Sequence, residues 1–181
     1  VVGFFGLGFM LINKPMSILS NSFSKVFAQE VIAEHNQGRN IAPRVKKFIF
    51  RMALVALVPF LITGLFSPPL VSFIFGKEWH EAGIYMQIFT PWLFVVFLSA
   101  PLDFLPDMLS RQRKAMWIEH IKFALRIIVL AIGVMLEDVY LSLILFSSVS
   151  LLLVSYTLYW RLSLAKRADE LLSGDKNTRD S

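Results

Sequence analysis

The chain has 181 residues, 56% of them hydrophobic and only 17% charged, with a net charge of +5 and a mean hydropathy of +0.62. Soluble domains are roughly 45–50% apolar and about 25% charged, so this balance excludes an ordinary water-soluble protein and identifies an integral membrane protein. Cysteine is absent, which excludes a disulfide framework and thiolate metal sites.

Several apolar runs approach the roughly 20 residues that cross a bilayer, and about five spans are predicted. The first covers about residues 1–28. It opens at Val1 directly inside an apolar stretch, without an initiating Met or the basic segment of a signal peptide, so the chain is expected to be the C-terminal portion of a longer polytopic protein whose N-terminal half is missing. Pro15, beside Asn13 and Lys14, predicts a kink, because proline removes a donor and clashes with the carbonyl of Leu11. Residues 29–47 read as a polar loop, with Gly38 as a helix stop and Pro43 as a helix start.

The second span is predicted over 48–66. Ser67, Pro68 and Pro69 predict a break, and 70–76 is apolar but too short to cross, which makes it interfacial or re-entrant. Trp79 and Tyr85 sit where amphipathic aromatics mark the headgroup layer. A third span over 82–105 carries Pro91 and Pro101 and leads to the basic loop Arg111, Arg113, Lys114. The fourth covers 117–136; the turn Glu137, Asp138 separates it from the fifth, 139–160. Residues 1–160 thus form one transmembrane bundle and 161–181 a polar tail, whose Leu162, Leu164, Leu171, Leu172 pattern predicts a surface helix ending near Gly174.

Lys and Arg fall in every second loop. Arg39, Arg44, Lys46 and Lys47, then Arg111, Arg113 and Lys114, then Arg161, Lys166, Arg167, Lys176 and Arg179 lie on one side; Lys77 lies on the other with Glu78, Glu81, Glu137 and Asp138. Basic loops stay in the cytoplasm, so the C-terminus is expected inside and Val1 outside.

Charges within spans cost several kcal/mol at the bilayer centre and therefore face a bundle interior, a water-filled cavity or a partner. Lys14 lies midway along the first span, and Lys25 is within about 20° of the same helix face at 100° per residue. Such a stripe suits an anionic substrate; alternatively Lys14 pairs with an acidic residue elsewhere or snorkels. Glu119, Lys122 and Arg126 share one face of the fourth span, with His120 beside them and Arg126 deepest. Asp103 and Asp107, four apart, could carry protons or bind a coupling ion, as could Glu119; with Arg111 a further four along, the pattern also reads as a salt-bridged helix end.

No phosphate-cradling glycine loop, H-E-x-x-H or glycine-flanked nucleophilic serine occurs. Glu78, His80 and Glu81 could in principle ligate a metal or act as acid and base, but a short solvated loop is the far more frequent explanation of such a cluster. No cofactor, metal or nucleic-acid partner is expected, and a transporter is expected rather than an enzyme.

Val2-Gly3-Phe4-Phe5, followed by Pro15 and a long basic loop, resembles the start of the first span after the midpoint in lipid-linked oligosaccharide flippases, the Wzx-type O-antigen and polysaccharide exporters of the MOP superfamily. Leu70 to Phe75 leading into Gly76, Trp79 and Ala82 is similar to that family's apolar run with its l-G-x-x-W-x-x-A pattern, and Pro91, Pro101 and the loop from Arg111 to Lys114 fit in order and spacing. The resemblance implies spans eight to twelve of a twelve-helix all-α transporter of the bacterial inner membrane. It implies translocation of an undecaprenyl-pyrophosphate-linked oligosaccharide by alternating access, with a cationic cavity lined by Lys14 and Arg126, and with Lys25 and Lys122 along the same stripes. A multidrug exporter of the same superfamily would want acidic groups in that cavity, and a membrane glycan polymerase or transferase would want converging carboxylates and a large loop. An inactive truncated fragment is the remaining alternative.

Overall fold

The computed structural model describes Met10 and residues 24–179, with side chains up to Ser173. Among the described residues the chain is all-helical: α1 (24–36), α2 (Ala42–Phe75), a 3₁₀ turn (Lys77–Trp79), α3 (His80–Ser99), a second 3₁₀ turn (Ala100–Leu102), α4 (Leu105–Met108), α5 (Gln112–Met135) and α6 (Val139–Arg179). Three helical stretches are long and apolar enough to cross a membrane: Ala42–Phe75, Lys77–Met108 and Val139–Ser173. The expected first span lies mostly outside the described residues, and α5 is less apolar than these three because it carries Glu119, Lys122 and Arg126.

The expected loop at 29–47 is helical up to residue 36. Burial of Phe27 and Val31 holds this part of α1 against the start of α2, where Phe27 stacks on Phe48 at 3.8 Å. Gly38, at φ +66°, supplies the left-handed turn that reverses the chain. Pro43 sits in the first turn of α2, where a missing N–H costs nothing. Arg44 reaches back to Glu30 and Glu34 and closes the hairpin.

The expected break at 67–69 and the separate segment 70–76 do not form: α2 runs unbroken for 34 residues through Pro59, Pro68 and Pro69. The neighbouring helix makes this possible. Pro69 cannot donate to the carbonyl of Leu65, and Gln87 Nε2 of α3 donates to that oxygen instead, at 3.2 Å. Ser67 Oγ donates to the carbonyl of Gly83 at 3.0 Å, so α2 and α3 touch backbone to backbone. A Cβ on Gly83 would lie 2.7 Å from Pro68 N and 2.8 Å from Ser67 O. The helix ends only at Gly76, whose φ of +106° suits glycine alone.

α3 is the centre of the bundle, with eleven of its 20 residues buried against seven of 34 in α2. It packs between α2 and α6, with Tyr85, Phe89 and Leu93 fully enclosed. Its α-helix stops at Ser99, short of the expected end at Leu105, as Pro101 and Pro106 begin shorter turns. Ser110, at φ 54°, turns the chain into α5. α5 and α6 form a hairpin around Glu137 (φ 53°) and Asp138, whose carboxylate accepts from Leu141 N at 3.0 Å. Gly133 permits the close crossing, for a Cβ there would lie 2.5 Å from Ser142 Cβ.

α6 does not end at Trp160; the expected tail continues the same helix to Arg179, past Gly174. Ala165 and Ala168 pack against the start of α2, and Asp169 accepts from the N–H groups of Ile41 (2.7 Å) and Ala42 (2.9 Å). All basic loops therefore gather at one end of the bundle, here termed the basic end. Tyr140 and Tyr159 of α6 are separated by about 28 Å at 1.5 Å per residue, close to the thickness of the hydrocarbon core. The apolar faces between them stay open, with Leu54, Val55, Val58, Phe123 and Leu152 all exposed, as lipid-facing helices require.

Gly83→Leu should lower stability in detergent unfolding titrations by about 1–3 kcal/mol by wedging α2 from α3, whereas Gly64→Ala, whose new methyl would meet only Thr90 Cγ2 at 3.4 Å, should cost far less. Cysteines replacing Asn40 and Ser173 should react with an impermeant reagent from the same side of the membrane, and one replacing Glu137 from the opposite side.

Candidate functional site

Polar groups inside the bundle concentrate along a seam between α3, α5 and α6. On α6 the seam is built by Ser147, Ser150, Val154 and Thr157, whose spacing of three and four puts them on one face, and all four are buried. Ser147 Oγ donates to the carbonyl of Ile88 on α3 at 2.6 Å, and Thr157 turns back to Leu153 O within its own helix. Ser150, with no exposed surface, presents its oxygen to Arg126 Nε at 3.1 Å.

Arg126 is half-buried beneath two rings. Its guanidinium carbon lies 5.3 Å from the centroid of Trp92 on α3 and 5.9 Å from that of Phe146 on α6, and the rings meet edge to face at 5.4 Å. Aromatic faces stabilise a desolvated guanidinium by about 1–2 kcal/mol and leave its N–H groups oriented. Among the described residues Arg126 forms no ion pair, and its one hydrogen bond uses Nε. The four N–H bonds of its terminal nitrogens are therefore not taken up by this part of the chain.

Toward the basic end the seam becomes ionic. Lys122, only 7% exposed, donates to Glu119 at 2.5 Å one turn earlier on α5. Arg161 of α6 pairs with Asp103 and donates to both the carbonyl (2.9 Å) and hydroxyl (2.8 Å) of Ser99 on α3. Glu119 and Lys122 are close enough to act on Asp103 electrostatically, and Glu119 on Arg126, so the five charges form one cluster. Lys122 is matched by Glu119 and Arg161 by Asp103. Arg126 is the surplus cation.

Of the residues singled out in the sequence, the seam unites Arg126, Lys122, Glu119 and Asp103. Lys14 lies outside the described residues. Lys25 is exposed on α1 and does not join the cluster, because α1 packs beside the start of α2 and the end of α6. Asp107 is also exposed, and its backbone carbonyl accepts from Gln112 Nε2 at 3.2 Å and from Ser110 N at 3.3 Å. The expected ladder of Asp103, Asp107 and Arg111 does not form, since the turns at Ala100–Leu102 and Ser110 take these residues off a single helix. His80 meets Ser72 Oγ at 3.1 Å, and Glu81 accepts from Tyr85 at 3.0 Å, so the outer cluster is dispersed among neighbours. Ser99, Ser150 and Arg161 were not anticipated. The hydroxyls at 147, 150 and 157, which share one helix face at three- and four-residue spacing, are the signal that points to Ser150.

Asp103→Asn should lower bundle stability by on the order of 1 kcal/mol in detergent unfolding, because the largely buried Arg161 loses its counter-ion while Asp103 itself is exposed, and Asp107→Asn should leave stability unchanged within error. In comparisons with protein-family models, curated proteins and solved structures, nothing matches the chain.

Proposed function

We propose that this chain forms part of the C-terminal lobe of a twelve-helix exporter that carries an undecaprenyl-pyrophosphate-linked oligosaccharide from the inner to the outer leaflet of the bacterial inner membrane by alternating access. The observation that carries this reading is Arg126, an intrabundle guanidinium with unused donors and no counter-ion among the described residues. A desolvated cation of this kind is costly unless an anion completes it, and a guanidinium fork matches phosphate oxygens two at a time.

The rest of the seam fits a transport cycle. The pyrophosphate supplies the missing negative charge at Arg126 while its polyprenyl tail remains in hydrocarbon, so the lipid-linked sugar crosses without its phosphates being stripped bare. Lys14 is assigned as a second cation facing the same path. Lys122 is held by Glu119 and therefore tunes the field at the site rather than binding the head directly. Arg161, through Ser99 and Asp103, ties the end of α3 and the turn after it to α6 at the basic end, which is assigned to the cytoplasm by its Lys and Arg content. An exporter of cationic drugs would require surplus carboxylates in the seam, and the surplus there is positive. The order of short motifs along the sequence supports the polysaccharide-exporter family in particular.

In cells lacking the flippase, the full-length parent carrying Arg126→Ala should restore glycan export at least about tenfold less well than the unaltered parent, and Arg126→Lys should restore it partially, because a point charge replaces a bidentate fork. Surface glycan measured at equal membrane abundance checks this. Unimpaired export by Arg126→Ala overturns the reading.

A further inference from the structure

At the basic end, the first turn of α2 and the outer part of α6 enclose a cavity of about 540 Å³. Its walls are apolar, made by Pro43, Leu162 and the ring of Tyr159, while Lys46 and Lys166 reach it from the two helices. We propose that this groove holds one anionic phospholipid of the surrounding bilayer, with its phosphate between the Lys46 and Lys166 ammonium groups and its acyl chains along α2 and α6.

Charge complementarity identifies the occupant. Neither lysine pairs with a carboxylate among the described residues, and the nearby carboxylates, apart from the exposed Glu170 one turn beyond Lys166, are committed elsewhere. Asp169 accepts from the backbone of Ile41 and Ala42, Glu30 and Glu34 take Arg44, and Asp103 takes Arg161. Ser163 Oγ donates to Trp160 O at 2.7 Å, which leaves the two ammonium groups to define the ligand. Two unmatched cations at the mouth of an apolar cavity select a ligand that is anionic at one end and oily at the other.

The walls continue as tracks for that oily part. Below Lys46 at helical spacing α2 exposes Phe50 (64%) and Leu54 (54%); inward from Lys166, α6 exposes Tyr159 and then Leu152 (both 71%). Free phosphate has no use for such tracks, and a zwitterionic headgroup would bring a third cation beside the lysines. Asp169 pins α6 to the start of α2, so the groove is formed before the lipid arrives. The site lies where the exposed ring of Tyr159 marks headgroup depth.

Native mass spectrometry of the chain, released from vesicles of equal phosphatidylglycerol and phosphatidylcholine, tests the assignment without measuring transport. One phosphatidylglycerol should remain per chain in preference to phosphatidylcholine. Lys46→Gln combined with Lys166→Gln should weaken its retention about thirtyfold, the loss expected for two surface cations. Lys46→Arg with Lys166→Arg should retain it, which separates loss of charge from loss of fold, and Lys77→Gln at the opposite end should change nothing. Equal retention of the two lipids, undiminished retention by the Gln pair, or displacement of the lipid by millimolar inorganic phosphate would overturn the proposal.

Discussion

A carbonyl released by proline has no water to turn to inside hydrocarbon, and α2 contains three interior prolines. At Pro69 the bundle solves this by bringing α3 close enough to act as donor. Gln87 supplies the hydrogen bond that Pro69 cannot, and Ser67 returns one to Gly83. That exchange requires near-contact of the two backbones, which fixes a glycine at 83 and makes α3 the most enclosed helix. The central position of α3 in turn sets where α6 packs, and so where the polar seam lies. Satisfaction of a few backbone groups thereby organises side chains far along the chain.

The seam follows the same rule for charge. Lys122 and Arg161 each have a carboxylate, and the hydroxyls of Ser99 and Ser150 meet the guanidinium groups on either side. Arg126 differs because aromatic faces, rather than an anion, shelter it. An aromatic shelter lowers the cost of the empty state without occupying the N–H groups that would grip a phosphate. At the basic end the lysines are left to the membrane surface, and the seam is kept for internal use.

The helical class, the alternation of basic and acidic loops and the hairpin turns were legible in the sequence, because each is a local property of composition or of glycine and aspartate at a turn. Grouping Glu119, Lys122 and Arg126 was also legible, since three- and four-residue spacing fixes a helix face. The continuity of α2 was not, because Pro68-Pro69 reads as a break unless Gln87, 18 residues beyond Pro69, is known to lie beside Leu65. Arg161 was assigned to the tail for a similar reason. Its charge favours water, but its long stem lets the guanidinium turn inward to Ser99 while α6 proceeds past it. The extension of α6 depends on Ala165, Ala168 and Asp169 docking on the start of α2, a contact between residues more than a hundred positions apart.

α6 is a single rod of 41 residues, about 60 Å long, roughly twice the thickness of the hydrocarbon it crosses. One end is held near Gly133 and Ser142, and the helix has no interior proline to absorb a bend. Pivoting it by about 10° at that end would sweep the other through roughly 10 Å, carrying with it the start of α2 that Asp169 holds. A lever of this reach converts a small rearrangement at one membrane face into a large excursion at the other, with Ser150 and Arg161 riding on the same shaft.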